Sequence, residues 1–223
     1  RGGLAEEIGE VMSGAGELVF RRISATAFTI VSCPSPARID ILGPRILRIR
    51  LGEPDARASY LQQSPAVPSS DLEITASSGS IGAGKLSLRL GAGGELVLVE
   101  GSHGRLLLDL SDMRLRSPLR VALTTLGEQH FYGLGAGGQP FDRLGVTRRL
   151  WNNHVNHGPG AEMAIPLLLS SRGYGLFFDC SSVGLLEVMA SSIETSIVYS
   201  SEAEGLDVYY LGGGSLRVSL AEV

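Results

Sequence analysis

The sequence predicts an all-β protein, a large antiparallel β-sandwich, and three observations carry that prediction. Short runs rich in Val, Ile, Leu and Phe recur along most of the chain, divided by Ser, Pro and Gly. Several of them alternate strictly. In Lys85-Leu86-Ser87-Leu88-Arg89-Leu90 every second residue is leucine, and period two places one set of side chains on each face of a strand. Glycine is also enriched, with 30 in 223 residues beside 10 prolines. That is about twice the usual share without a collagen-like period, as expected where many tight turns join short strands.

The first 17 residues form a separate N-terminal segment. Leu4, Ile8, Val11 and Met12 have helical spacing, which Gly9 interrupts, so at most a short helix is expected there. The sandwich domain is expected over residues 18–214, with about fifteen strands. The first four, from Leu18, Ala27, Ala37 and Ile46, include Ile46-Leu47-Arg48-Ile49-Arg50-Leu51, whose arginines read as one wet face. The stretch from Glu53 to Ser70, with three prolines, reads as a loop or ragged edge. Leu72–Ala76 leads on to Lys85–Leu90, Glu95–Glu100 and Arg105–Leu110, the last three divided by glycine-rich turns. Strand, turn, strand in this rhythm is an antiparallel meander. Seven more runs, from Leu119 to Leu211, continue it, and that many strands with almost no helix imply two packed sheets. After Gly212-Gly213-Gly214, residues 215–223 take on a helical texture. Nine residues make a marginal helix by themselves. The expectation is therefore that the parent chain continues, and that 215–223 begins a helix leading into a further domain.

Bulk properties exclude several functions. A formal net charge of −4 and unclustered Lys and Arg disfavour nucleic acid and anionic membrane surfaces as partners. No apolar run reaches the ~18 residues of a membrane span. Two cysteines, Cys33 and Cys180, are too few for a disulfide framework, and this usage leans towards a cytoplasmic location.

Motifs that suggest chemistry mostly have simpler readings. Gly133-Leu134-Gly135-Ala136-Gly137-Gly138 satisfies the dinucleotide pattern, but turn-like residues follow where a helix must open. Its glycines read as a sharp backbone turn at a sheet corner. His154, His157 and Glu162 would have to converge from a Gly/Pro-containing loop to hold a metal, with no Cys or further His nearby, so no metal and no cofactor is expected. There is no nucleophile elbow for a serine hydrolase. Asp142, Asp179 and Glu162 are candidate carboxylates for glycoside cleavage, but no two of them can be argued to flank one bond. An Asp beside Arg, as at Asp142-Arg143, reads as an ion pair. Trp151, the single tryptophan, stands before Asn152 and Asn153. A tryptophan face stacks on sugar C–H groups while amides bond hydroxyls, although a core or interface anchor is an equal reading.

Taken in order, His130-Phe131-Tyr132-Gly133-Leu134-Gly135, Phe141-Asp142-Arg143-Leu144-Gly145, Leu150-Trp151-Asn152, Ala164-Ile165-Pro166-Leu167 and Gly173-Tyr174-Gly175-Leu176-Phe177-Phe178-Asp179 form a series. It resembles the N-terminal domain of glycoside hydrolase family 31, the α-glucosidase and α-xylosidase family. The resemblance implies a galactose mutarotase-like supersandwich packed on a (β/α)8 barrel of its own parent chain. It implies a parent that cleaves α-glycosidic bonds with retention, using two barrel aspartates about 5 Å apart. Neither would lie in this chain, so no catalytic residue is assigned here. What the family's domain supplies is a loop over the substrate pocket. Here that is Asn152 to Met163, with Trp151, Asn153, His154, Asn156 and His157 as the carbohydrate-binding candidates. Two positions depart from the family pattern. Ala136 replaces a Glu or Gln, and His154 replaces an Asp, which suits either a substrate with an anionic group or a different leaving group. The alternatives are a free-standing carbohydrate-binding module, which needs an exposed aromatic platform, and an aldose mutarotase, which needs a His base and a carboxylate acid on one sheet.

Overall fold

The computed structural model describes residues 18–33, 36–52, 72–101, 104–110, 113, 115, 118–126, 130–152, 163–191 and 193–213. The helices expected within 1–17 and at 215–223 lie outside the described residues, as do Asn153, His154, Asn156, His157 and Glu162. Among the described residues there are seventeen strands and no helix.

Eight strands form one sheet in the order β1 (Val19–Arg22), β2 (Ala27–Val31), β3 (Ala37–Ile41), β4 (Ile46–Gly52), β17 (Gly205–Gly212), β14 (Tyr174–Asp179), β13 (Leu167–Ser170) and β11 (Phe131–Gly133). Nine form the second, in the order β12 (Thr147–Leu150), β15 (Gly184–Ala190), β16 (Glu194–Ser201), β10 (Leu119–Leu126), β9 (Gly104–Asp109), β8 (Glu95–Glu100), β7 (Leu86–Leu90), β6 (Ser80–Ala83) and β5 (Ile74–Ala76). Every neighbouring pair is antiparallel, and the expected meander is β5 to β10. Two strands exceed the fifteen expected runs. β6 is hidden in the sequence by Gly82, where an added Cβ would stand 2.7 Å from Thr75 Oγ1. β11 is a three-residue strand that pairs with β13. Lys85 belongs to the turn before β7 rather than to the strand, because Gly84, at φ 57°, folds the chain back there.

The alternation seen in the sequence becomes the core. Leu86 and Leu88, Leu96 and Leu98, Leu106 and Leu108, and Leu119, Val121 and Leu123 face inward from the larger sheet. They meet Phe28, Ile39, Leu47, Ile49, Leu206 and Val208 of the other. Each such side chain contributes about 1.5–3 kcal/mol on burial. One inward position of β8 is not apolar. Glu100 is buried and accepts a 2.9 Å hydrogen bond from the Tyr210 hydroxyl on β17, linking the two sheets. Burial first, then the Glu100 charge, push the Tyr210 hydroxyl well above its ordinary pKa.

The outer face of the smaller sheet is charged where the arginine alternation predicted a wet face, but it is not wet: Asp40, Asp179, Asp207 and Tyr209 are all buried, and the charges are neutralised by one another instead. Registered across strands lie Arg38, Arg50, Asp207 and Asp179 in one row, and Asp40, Arg48, Tyr209 and Phe177 in the next. Arg48 donates through Nε and Nη2 to Asp40 Oδ2, at 3.0 and 2.8 Å, and Arg38 Nε reaches Asp40 Oδ1 at 2.7 Å. Cross-strand opposite charges are the sheet's equivalent of helical ion pairs.

Candidate functional site

Three separated motif segments, 130–135, 150–152 and 173–179, bond to the backbone of residues 163–167, and a fourth, 141–145, braces the first of them. β11 ends at Gly133, and Gly133, Leu134 and Gly135 all take positive φ (97°, 60° and 85°). This is the left-handed region where only glycine is free of steric cost. The contortion brings the chain close to its neighbour, since a Cβ on Gly135 would overlap the Met163 carbonyl. Leu134 N–H donates to Leu167 O (2.8 Å), and Ala136 and Met163 exchange two backbone bonds (2.9 and 3.0 Å). The glycine run is therefore a sheet-corner turn, as the turn-like residues after it suggested, and no helix opens after it.

Backbone that turns this sharply leaves carbonyls outside the sheet ladder, and buried carbonyls need donors. Arg143 supplies them to the glycine carbonyls, and Arg148 adds a further donor to the two carbonyls already bonded in the Ala136–Met163 bridge. Arg143 donates through Nε to Gly133 O (2.8 Å) and through Nη2 to Gly135 O (3.0 Å). Arg148, 0% exposed, donates through Nη2 to Ala136 O (2.6 Å) and more weakly to Met163 O (3.4 Å). The planar fork of guanidinium suits this double duty better than an ammonium group.

Asn152 completes the arrangement. Its Nδ2 donates to Ala164 O (3.0 Å) and its Oδ1 accepts from Ala164 N–H (2.7 Å). The amide copies a backbone bridge and joins the residues flanking segment 153–162. Of the amides beside Trp151, that of Asn152 is thus committed to protein rather than facing a ligand.

Beside this base lies a cleft of about 450 Å³. Trp151, Asn152, Ile165, Pro166, Cys180 and Ser182 line it, with Phe178 and Tyr199, stacked at 5.4 Å, also contributing. Trp151 is 48% exposed, which rules out the core-anchor reading and leaves a platform for a ligand or a partner. None of the described lining residues is Asp or Glu.

The candidate carboxylates are dispersed. Asp142 is not paired to Arg143. Its Oδ2 meets His130 Nδ1 and its Oδ1 accepts from the N–H groups of Phe131 and Leu144, so it pins a turn. The reason is that Arg143 is already engaged by the glycine carbonyls. Asp179 sits on β14 with Asp207 of β17 as its register partner, on the charged outer face. Sequence reading passed over Asp207. Burial raises its pKa, Arg50 and Arg48 counteract, and the charges of Asp179 and Asp40 add to the rise. Its partners are the arginines of the outer-face network, which marks it as part of that network. Arg148 is the other residue the sequence did not single out, and Arg143 was read only as a partner for Asp142, since nothing local distinguishes a buried arginine from a solvated one.

The comparisons bear on the fold and the family. Residues 36–184 match the model of the glycosyl hydrolase 31 N-terminal galactose mutarotase-like domain. Alpha-xylosidase XylQ of Lactiplantibacillus pentosus is 25% identical over 164 residues, 72% of this chain and 20% of that protein. The GH31 dextranase of Flavobacterium johnsoniae, complexed with glucose, superposes with a TM-score of 0.70 at 13% identity, covering 93% of this chain and 27% of that one. A GH31 alpha-xylosidase from a soil metagenome, complexed with xylose, gives 0.62 at 18% identity, covering 87% and 32%. At these identities the structural likeness speaks for the fold alone, and this chain spans a third or less of each relative. The family match is of another order, since it takes in two thirds of the chain and the glycine corner, both arginines and Asn152. This chain belongs to the N-terminal galactose mutarotase-like domain family of glycosyl hydrolase 31.

Proposed function

We propose that the chain is the non-catalytic, carbohydrate-contacting domain of a retaining α-glycosidase. In this reading it packs on the catalytic barrel of its parent chain and lends Trp151, Asn153, His154, Asn156 and His157 to the substrate pocket. The observation that carries the reading is the bridged pair Asn152 and Ala164, which stands with the exposed Trp151 at the cleft. An exposed indole face next to hydrogen-bonding loop residues is the chemistry that sugars select. The absence of carboxylates among the described residues of the cleft favours placing the acid and nucleophile on the barrel. Family membership supports an α-glucosidase-like activity; His154 in place of a carboxylate suits either a substrate carrying an anionic group or a different leaving group. A cytoplasmic setting belongs to the proposal and rests on cysteine usage.

The test compares the purified 223-residue chain with the full-length parent on aryl α-glucosides and α-xylosides. The full-length protein is expected to hydrolyse at least one of them, and the isolated chain none. In the full-length protein Trp151→Ala and His154→Ala should each raise KM about tenfold with a smaller change in kcat, the signature of lost substrate binding. Hydrolysis by the isolated chain that Trp151→Ala abolishes overturns the reading.

A further inference from the structure

We infer that the turn 139–146 is an edge guard: it occupies outward backbone groups of β11 and β12, and without it β11 adds a strand from a second copy of this chain. The inference goes beyond the substrate reading and does not depend on it.

An edge strand shows unpaired N–H and C=O groups that another chain can use. On one side of this molecule the edges are β11 of the smaller sheet and β12 of the larger. β11 bonds towards β13 through His130 O, which accepts from Ser171 N–H, and Leu134 N–H, which donates to Leu167 O. In an antiparallel ladder alternate residues bond to opposite sides, so Phe131 and Gly133 point away from β13. Three of their groups are taken by two consecutive residues. Phe131 N–H donates to Asp142 Oδ1 (3.1 Å), Phe131 O accepts from Arg143 N–H (2.6 Å), and Gly133 O accepts from Arg143 Nε (2.8 Å).

β12 is closed by the same turn. Val146 O accepts from Val188 N–H of β15, which turns the next residue, Thr147, to the free side. There Thr147 O accepts from Gln139 Nε2 (3.2 Å).

The guard itself offers little for a new strand to pair with. Pro140 has no N–H. The N–H groups of Arg143, Leu144, Gly145 and Val146 go in turn to Phe131 O, Asp142 Oδ1, Val188 O and Arg143 O. Successive donors are thus spent inside the molecule, whereas a ladder strand would turn every second one outward.

The edge beneath favours pairing. Phe141 is 81% exposed, and its ring lies 5.1 Å from that of Tyr132 on β11. Strand addition draws affinity from main-chain bonds and specificity from the side chains beside them. A bare edge flanked by an exposed aromatic pair supplies both. Two uncapped copies of β11 would pair antiparallel about a twofold axis, an isologous contact.

The experiment uses the full-length protein as wild type, as the double variant Asp142→Ala with Arg143→Ala, and as Arg148→Ala. The last weakens the same corner at Ala136 O and Met163 O rather than at β11. Light scattering gives mass against concentration, and hydrogen exchange follows peptides covering β11. The dilute double variant should exchange at β11 at least about tenfold faster than wild type. As its concentration rises, its mass should reach at least about twice that of wild type, and β11 should become protected again. Arg148→Ala should keep the wild-type mass. If the double variant fails to fold, Asp142→Ala alone, which frees Phe131 N–H, is read in the same way. Unchanged exchange at β11 overturns the inference, as does a wild-type mass while β11 exchanges fast. Association that leaves β11 unprotected, or that Arg148→Ala shows equally, overturns it too.

Discussion

His130 Nδ1 lies 2.6 Å from Asp142 Oδ2, and the other oxygen of that carboxylate accepts the backbone N–H groups of Phe131 and Leu144. One side chain so ties the entry of β11 to the turn that carries Arg143. Partial burial works to raise the Asp142 pKa. The His130 bond and the two backbone donors outweigh it and hold the carboxyl below its usual value. A depressed native pKa adds stability that is present above the unfolded value of about 3.9. That stability disappears as pH falls through the native value. Asp142→Asn should therefore be less stable than wild type at neutral pH, with the difference closing below about pH 4. The pair is exposed, so the neutral-pH loss is set at no more than about 1 kcal/mol. Urea midpoints across pH check this, and a gap that stays constant into acid refutes the carboxylate's role.

Arg148 is a buried cation whose visible work is to satisfy carbonyls. Truncating it removes donors from Ala136 O and Met163 O and leaves a void in a closed site. Arg148→Ala should cost about 3 kcal/mol. Arg148→Lys should recover only part, because one ammonium cannot reproduce the fork. Its neighbour Arg149 points outward on β12, so Arg149→Ala should change stability by less than about 0.5 kcal/mol. Denaturant unfolding of the three variants decides the ordering.

The contrast between Arg148 and Arg149 also shows where sequence reading stopped. Leu86 and Leu88 declare their face because a buried strand must alternate, and nearly every strand of the meander was visible for that reason. Arg148 and Arg149 look alike in the chain. Which of them is buried depends on the Ala136–Met163 bridge beside a glycine turn whose path is tertiary. Glu100 differs, since period two with Leu96 and Leu98 places it on the inward face, and what the chain does not show is the partner that accommodates a glutamate there, Tyr210, 110 residues away. For the site, Trp151 and the motif series were legible. That Asn152 would spend its amide on Ala164 was not, because the partner is a backbone group, and every residue offers the same one.

Gly135 should tolerate no side chain. Its φ of 85° and the Met163 carbonyl in the path of a Cβ combine two penalties. Gly138, three residues on, has nothing within 4 Å of a Cβ and no positive φ. Gly135→Ala is expected to lose more than about 2 kcal/mol and Gly138→Ala less than about 0.5 kcal/mol. Thermal melting of both separates a conformational demand at one glycine from a general intolerance of the glycine-rich run.

The bond between Glu100 and Tyr210 should behave as a coupled pair. Glu100 is 3% exposed and Tyr210 2% exposed, and they come from opposite sheets. A hydrogen bond to a buried carboxylate is worth more than a neutral one, and removing one partner strands the other in a dry core. Tyr210→Phe should therefore cost about 2 kcal/mol, although it deletes a single oxygen. Glu100→Gln keeps an acceptor for the hydroxyl and removes the buried charge, so it should cost less than Tyr210→Phe. In Glu100→Leu with Tyr210→Phe no polar group remains to be stranded, and the larger side chain restores the leucine periodicity of β8. The double variant should then be more stable than the sum of its single changes by at least about 1 kcal/mol. Urea unfolding of the full cycle measures that coupling, and strict additivity shows that the pair does not bridge the sheets energetically.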